Sequence, residues 1–519
     1  MTRACARAAG FALALVAALP VAAQPLSAAE AAGRRVYIEG TSPAGQEITA
    51  EVGMAGAVLP GTAVPCANCH GRDGLGRAEG GVVPPPIVWS QLTQSYGLVH
   101  ENGRAHPPFD EASAARAITQ GLDPAGNRLD SAMPRFHMDP GDLRNLVAYL
   151  KRLERDVDPG ISDTAIRVGT VLPEGIAAGD AMRKAIESAF DDVNASGGLY
   201  GRRLELVVRA HAPRPDAAVE AARALIERDD VLALVSPFAL GAEAPLAALA
   251  EQKHVPVVGP FTVRGPPGAP GRYTFYLFGG LPEQAEVLVE FALANPAIGG
   301  KSVVLVHPDE TAARDAAAAV RSRCESRACP PMRVIAYGAP PADAAALARE
   351  ARETKADAVI FLGGPDDLER FAAAADASGW HPALLAAGTL AGRAAGRLPQ
   401  AFQGRFFLAY PTAPPRGNTG DAFDRFAAKH RLAAANELPA FSSFVAASLL
   451  VDALRRTGRE VSREGLVAEL EATTAYGSLL AQPIRYGPRR RIGALGGHVV
   501  APAPDGSGFR AVSGWIALD

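Results

Sequence analysis

Apolar positions along this chain change rhythm several times, and each change marks a boundary. A solid apolar run over residues 10–21 follows Arg3 and Arg7 and ends at Val21-Ala22-Ala23. A positive start, a short apolar stretch and small residues before Gln24 predict a cleaved signal peptide over residues 1–23. About a dozen apolar residues are too few to span a bilayer, and no later stretch approaches the roughly 18 uncharged residues a span needs. A short helical pattern occupies 28–38, and 82–88, with Pro84, Pro85 and Pro86, is an extended apolar segment. Asp139 then caps a closing helix in which Leu143, Leu146, Val147 and Leu150 recur on one face. Residues 28–156 therefore read as one small all-α domain.

Residues 155–164 form a polar, Pro- and Gly-bearing connector, and beyond it the rhythm alternates. Short apolar runs at 166–172, 204–209, 231–235 and 255–258 are separated by amphipathic stretches at 178–194, 216–228 and 241–253. A second series starts with a helix at 282–295. It continues with strands at 302–307, 333–337 and 358–362 and helices at 311–323, 343–353 and 366–378; another helix covers 441–455. Strand–helix alternation of this kind builds parallel sheets covered on both faces. Two series predict a two-lobed α/β domain over 164–519, with a ligand cleft outside the carboxyl ends of the strands.

A length of 519 residues agrees with about three domains. Apolar residues at 48% and charged residues at 21% suit a soluble protein with sizeable cores. The formal net charge of -3 gives no argument for nucleic acid. Arg489-Arg490-Arg491 reads as a solvated turn. Of five cysteines, Cys5 leaves with the signal peptide and Cys66 and Cys69 stand with two residues between them, which leaves Cys324 and Cys329. In an oxidising compartment that pair predicts a structural disulfide worth roughly 2 kcal/mol, with two free thiols or a redox-active dithiol as alternatives.

Cys66-Ala-Asn-Cys-His70 carries the most specific chemistry. Two thiols at this spacing can form thioethers to the vinyl groups of one haem, and the adjoining imidazole can bind its iron. A structural zinc would need a fourth ligand and usually a second close pair. A thioredoxin-like dithiol would follow a strand, and no strand pattern leads into this turn. Met133 is the candidate second axial ligand: a thioether favours reduced iron and raises the potential, and Pro134 stiffens its loop. Met138, His137, His106 and His100 compete, and a methionine is otherwise a core filler. With both axial positions filled by protein, no open site for an enzymatic reaction at iron is expected. Gly197-Gly198-Leu199-Tyr200-Gly201 follows a helix and precedes a strand, the opposite of a phosphate-cradling loop.

The first domain resembles the class I cytochromes c. The likeness rests on the Cys66–His70 motif, the loop of Gly71, Gly74 and Gly76, and Gly121-x-x-x-x-Gly126. It extends through Met133-Pro134 and Asp142-Leu143-x-x-Leu146-Val147-x-Tyr149-Leu150. It implies single-electron transfer through one haem c with His70 and Met133 as axial ligands. Ile166-Arg-Val-Gly-Thr-Val-Leu172, Ala181-Met182-Arg183, Asp191-Asp192-Val193-Asn194-Ala195-Ser196-Gly197-Gly198 with Gly201-Arg202, and Val255-Pro256-Val257-Val258 resemble type 1 periplasmic binding proteins. The branch implied is that of the branched-chain amino-acid receptors of ABC transporters.

In that family the ligand lies on the loops that are here Ser236-Pro237-Phe238-Ala239-Leu240-Gly241 and Gly259-Pro260-Phe261-Thr262-Val263. Ala239, Leu240 and Val263 stand where the family's hydroxyls are expected, and no acid lies near Gly388-Thr389-Leu390. An unpaired charge in a closed cleft costs several kcal/mol, so an ordinary amino acid is not the expected ligand. Phe238 and Phe261 either face a small apolar or aromatic ligand or pack the lobe. Ser236, Thr262 and Gly363 complete the cleft candidates. The expected whole is a periplasmic, non-enzymatic haem c protein carrying electrons between a dehydrogenase and a respiratory-chain acceptor, with a binding domain that tunes or targets it. The alternatives are the receptor of an ABC permease, or a ligand and redox sensor, with an accessory haem.

Overall fold

Ser27 opens the first helix, Ala28–Glu39, by a reciprocal cap: its hydroxyl accepts from Glu30 N at 3.3 Å and the Glu30 carboxylate accepts from Ser27 N at 2.7 Å. This computed structural model describes residues 26–518 except 77–82, 101–102, 240, 263–264, 266–270, 296–297, 299–301, 328, 330–331, 339–342, 413–419, 434–436, 460, 478–481 and 504–507. The expected signal peptide, Val82, Leu240 and Val263 lie outside the described residues. The chain divides into two compact units, 1–157 and 158–519.

In the first unit, the opening helix crosses the helix Pro140–Leu150, which Asp139 caps by accepting from Gly141 N at 2.6 Å. The crossing is close because residue 33 is glycine; a Cβ there would lie 1.9 Å from Asn145 O. Tyr37 and Tyr149 meet beside it with ring centres 5.5 Å apart. Val36, Ile118, Phe136, Leu146, Val147, Leu150 and Leu153 complete the core, Ile118 coming from the helix Glu111–Gln120. Short strands join these helices: β1 Thr49–Val52, β2 Ala57–Pro60, β3 Leu98–Val99, β4 Ala105–His106 and β5 Arg135–His137. They form an antiparallel β2-β1-β5 sheet and a β3-β4 hairpin. These strands were not anticipated, because β2 is exposed along its whole length and lacks the alternation that marks a half-buried strand.

Asp156 still belongs to the first unit, accepting from Arg34 Nε at 2.9 Å and Tyr149 OH at 2.6 Å, whereas Asp158 accepts from Arg463 N at 2.6 Å. The expected ten-residue connector therefore reduces to the neighbourhood of Val157. The first lobe contains β6 Ala165–Pro173, β7 Arg203–His211, β8 Ala233–Val235, β9 Val257–Val258 and β10 Thr274–Phe278. The second contains β11 Val303–Pro308, β12 Arg333–Tyr337, β13 Ala358–Phe361, β14 Ala383–Ala387 and β15 Phe406–Tyr410. Near the carboxyl end, β16 Ile492–Ala494 returns to the first sheet, and β17 Gly496–Pro502, β18 Phe509–Ala511 and β19 Ile516–Ala517 join the second. The sheet orders are β16-β10-β9-β8-β6-β7 and β12-β11-β13-β14-β15-β17-β18, with β19 on β17.

The chain thus passes between lobes after β10, after β15 and between β16 and β17. The helix Glu437–Arg456 packs against β8 and β9 of the first lobe. Its span from Leu438 is long and apolar enough to cross a membrane, but Val445, Ala446, Leu449, Leu450 and Leu454 are buried in the lobe core. The expected solvated turn at 489–491 is corrected too. Arg491 is buried, donates to Glu471 Oε1 at 2.5 Å and to Arg272 O at 3.0 Å, and lies 4.7 Å over the Phe275 ring.

Candidate functional site

Pro65 precedes the helical turn Cys66–His70, and both cysteines and the histidine fall within it. Cys69 is exposed, Cys66 is half-buried and His70 is buried. Tyr37 OH donates to Gly71 O at 2.7 Å, and Gly76 N donates to His70 O at 2.8 Å, so the turn is held from the opening helix and from the following loop. His70 Nδ1 lies 3.2 Å from Pro85 O. A carbonyl only accepts, so the proton sits on Nδ1 and Nε2 keeps its lone pair, the form a metal-binding imidazole needs. Burial lowers the His70 pKa and favours that neutral ring.

Dithiol chemistry fits poorly. Reactive Cys-x-x-Cys pairs depend on a depressed pKa, whereas burial pushes the Cys66 thiol up to about 12. Strand β2 does precede the turn, contrary to expectation, but it is an exposed antiparallel hairpin strand rather than the core strand of a thioredoxin-like unit. The donor set fits a haem: two thiols on one helical turn and one neutral, oriented imidazole. Apolar side chains stand exposed on the neighbouring loops, Leu75 at 36% and Val83 at 77%.

Met133 ends the loop between the helix Glu111–Gln120 and β5; it is half-buried and does not join the hydrophobic core. Met138 does pack against that core. His100 and His106 face each other, Nε2 to Nε2, at 3.0 Å, and Arg104 Nη2 lies 2.7 Å from His100. His137 lies 3.2 Å from Glu51 on an exposed face. Sequence reasoning overlooked Met54, which is 95% exposed at the β1–β2 turn, where Gly53 N donates to Ser131 O at 3.2 Å.

The two candidate loops follow β8 and β9, and their side chains are used in part to pack and brace the first lobe. Ser236 is fully buried in a left-handed conformation (φ 44°), and its hydroxyl pairs with Ser443 Oγ at 2.8 Å. It props the loop rather than facing a ligand. Phe238 meets Phe261 edge to face at 5.0 Å within a small apolar cluster containing Leu172 and Met182. Phe238 is buried there, while Phe261 is partly exposed. His211 Nε2 lies 3.0 Å from Phe238 O. Thr262 Oγ1 accepts from Gly265 N at 3.0 Å and reaches Glu243 at 3.4 Å.

On the second lobe Gly363 makes room for a tyrosine: a Cβ there would lie 2.1 Å from Tyr337 OH. Tyr337 donates to Asp367 at 3.0 Å, and Asp367 also accepts from Arg370 at 2.7 Å. Burial, with Asp367 beside it, holds the phenol well above its ordinary pKa, so Tyr337 is a neutral donor. Thr389, on the loop lacking an acid, bonds Gln284 Nε2 at 2.8 Å. The second lobe carries a carboxylate, Asp367, after the strand neighbouring the one where an acid was sought, and it is paired with Tyr337 and Arg370. Cys324 and Cys329 stand side by side as thiols, and the expected disulfide is a matter of their oxidation. Burial and mutual contact push Cys324 up to about 12, and Cys329 N donates to Cys324 O at 2.9 Å.

The family model described as periplasmic binding protein matches residues 166–498, and that described as cytochrome c matches 56–154. The chain belongs to the type 1 periplasmic binding protein family, with a cytochrome c domain fused ahead of the binding fold. Both are non-enzymatic families. A Pseudomonas aeruginosa protein named amino acid binding protein is 23% identical over 145 residues, 28% of this chain and 38% of its own length. A branched-chain amino acid ABC transporter structure from Thermus thermophilus with bound valine is 17% identical, covers 68% of this chain and 97% of its own, and superposes with a TM-score of 0.56. A fatty acid ABC transporter substrate-binding protein from Thermomonospora curvata gives 17% identity, 70% and 95% coverage, and 0.55. At such identities these likenesses speak for the fold alone.

Proposed function

We propose that this chain is a periplasmic electron carrier with one covalent haem c, whose fused cleft binds a small molecule and tunes or targets the redox unit. The observation carrying this reading is the Cys66–His70 turn with its imidazole oriented by Pro85 O. Bound there, the haem supplies reversible one-electron chemistry. Cys66 and Cys69 would hold it covalently, and His70, through Nε2, and Met133 would bind its iron. An electron enters from a periplasmic dehydrogenase and leaves to a respiratory-chain acceptor.

The cleft ligand is a small molecule with an apolar or aromatic body and a polar end, not an ordinary amino acid. Phe261 offers the apolar contact, and the Tyr337 oxygen, its proton given to Asp367, is left to accept from the ligand's polar end; Asp367, already paired with Arg370, is poorly placed to balance a free ammonium. The match to the periplasmic binding protein family supports a second reading, as the receptor of an ABC permease. Redox titration of the haem-loaded protein, before and after removal of any co-purified small molecule by partial unfolding and refolding, tests the coupling. A shifted midpoint supports tuning. An identical midpoint contradicts it, and uptake sustained by a haem-free His70 variant favours the receptor.

A further inference from the structure

The loop carrying Met133 is organised by Asp123 in its first half and by Asp130 and Arg135 in its second. Asp123, fully buried, gathers the first half: its carboxylate accepts from Ala125 N at 3.0 Å, Asn127 N at 2.9 Å, Asn127 Nδ2 at 3.0 Å and Arg104 Nη1 at 2.8 Å. The second half turns on Asp130, which accepts from Ala132 N at 2.8 Å and, through its carbonyl, from Met133 N at 3.1 Å. Its carbonyls then converge on one cation. Arg135, the first residue of β5, reaches back and donates to Leu129 O at 2.9 Å, to Asp130 O at 3.2 Å and to Met133 O. Gly121 leaves the necessary space: at φ +66°, a Cβ there would lie 1.7 Å from Arg135 Nε and 2.1 Å from its Cζ.

We infer that Arg135 is a positioning residue that fixes how Met133 presents its sulfur to the iron. This rests on the assignment of Met133 as axial ligand. A planar guanidinium with five donors can bind several carbonyls at once and hold their mutual directions, which a flexible ammonium cannot. The strand behind it is fixed, since Arg135, Phe136 and His137 pair with Glu51, Ala50 and Thr49 of β1. The clamp thus ties the sulfur-bearing loop to a sheet rather than leaving it to the half-buried methionine alone. Loosening the clamp leaves the thioether on the iron for a smaller fraction of time, and an added ligand then competes better by that fraction.

The test uses the full chain with covalent haem, comparing wild type with Arg135→Met, Arg135→Lys and Met133→Ala. Three readouts apply: the weak far-red charge-transfer band of oxidised thioether-ligated haem, the midpoint potential, and the affinity for added imidazole. Met133→Ala abolishes the band. Arg135→Met keeps its haem but weakens the band, lowers the potential and binds imidazole about tenfold tighter or more. Arg135→Lys changes all three in the same direction by less, and serves if the methionine variant does not accumulate. Wild-type band, potential and imidazole affinity in an arginine variant, with the band lost in Met133→Ala, overturn the role of Arg135 alone. A band that survives Met133→Ala overturns the axial assignment and the proposal with it; Met54→Ala and Met138→Ala then locate the sulfur.

Discussion

The two units contrast in how a site is written into a chain. The haem-binding turn occupies five consecutive residues, and its orienting partner, Pro85, lies fifteen positions on. The residues proposed for the cleft lie on strand ends far apart in sequence: Phe261 follows β9, Tyr337 ends β12, and Asp367 opens the helix Pro365–Ala377 after β13. Covalent attachment needs only local geometry, so it leaves a contiguous motif. Reversible recognition of a small molecule needs convergence, which only the fold supplies. The same contrast separates the supports, a backbone carbonyl behind His70 but a hydroxyl from a distant helix, Ser443, behind Ser236.

The contrast can be broken most strongly at the contiguous site. Replacing Cys66 and Cys69 by alanine should abolish covalent haem, read by mass and by the absorption spectrum. The thermal transition of the binding unit should stay in place. A next, smaller effect is expected where the helices cross: Gly33→Ala puts a methyl against Asn145 O and should cost about 1–3 kcal/mol. Denaturant unfolding followed in the haem-bearing unit measures it; an unchanged midpoint means the crossing has slack.

Cys324 and Cys329 sharpen the other side. On export they should oxidise to a disulfide, losing two hydrogens in the intact mass, and reduction should then cost roughly 2 kcal/mol. The smallest effect falls on the cleft support. Ser443→Ala leaves the buried Ser236 hydroxyl without this partner and should destabilise by about 1 kcal/mol. Ser236→Ala combined with Ser443→Ala should recover part of that loss in a double-mutant cycle. Additive losses would show that the two hydroxyls do not act together.

β6, β8, β9, β11 and β13 were legible as runs of mostly buried apolar residues, as parallel strands covered on both faces are, and β7 and β12 were read although they are more exposed; β10, Thr274–Phe278, was not read. Ala383–Ala387 and Phe406–Tyr410 were not read, since an alanine-rich run and a short aromatic one carry no period that separates strand from helix. The hairpin of Thr49–Val52 and Ala57–Pro60 escaped for the opposite reason: its outer strand is exposed throughout. Among site residues, Cys66, Cys69 and His70 announced themselves by spacing. Tyr337 and Asp367 did not, because they come from separate segments, and the room for the Tyr337 hydroxyl depends on Gly363, just past the end of β13. Arg491 misled, since three adjacent arginines look solvated until Glu471 and the Phe275 ring are seen around one of them.

The measurement that tests the account most directly is a native mass spectrum of the full chain, matured with periplasmic haem attachment and purified from its own host. The account predicts a polypeptide shortened by its first 23 residues, carrying one covalent haem and retaining a small apolar molecule that departs on collisional activation. A spectrum with no haem on the chain would contradict it.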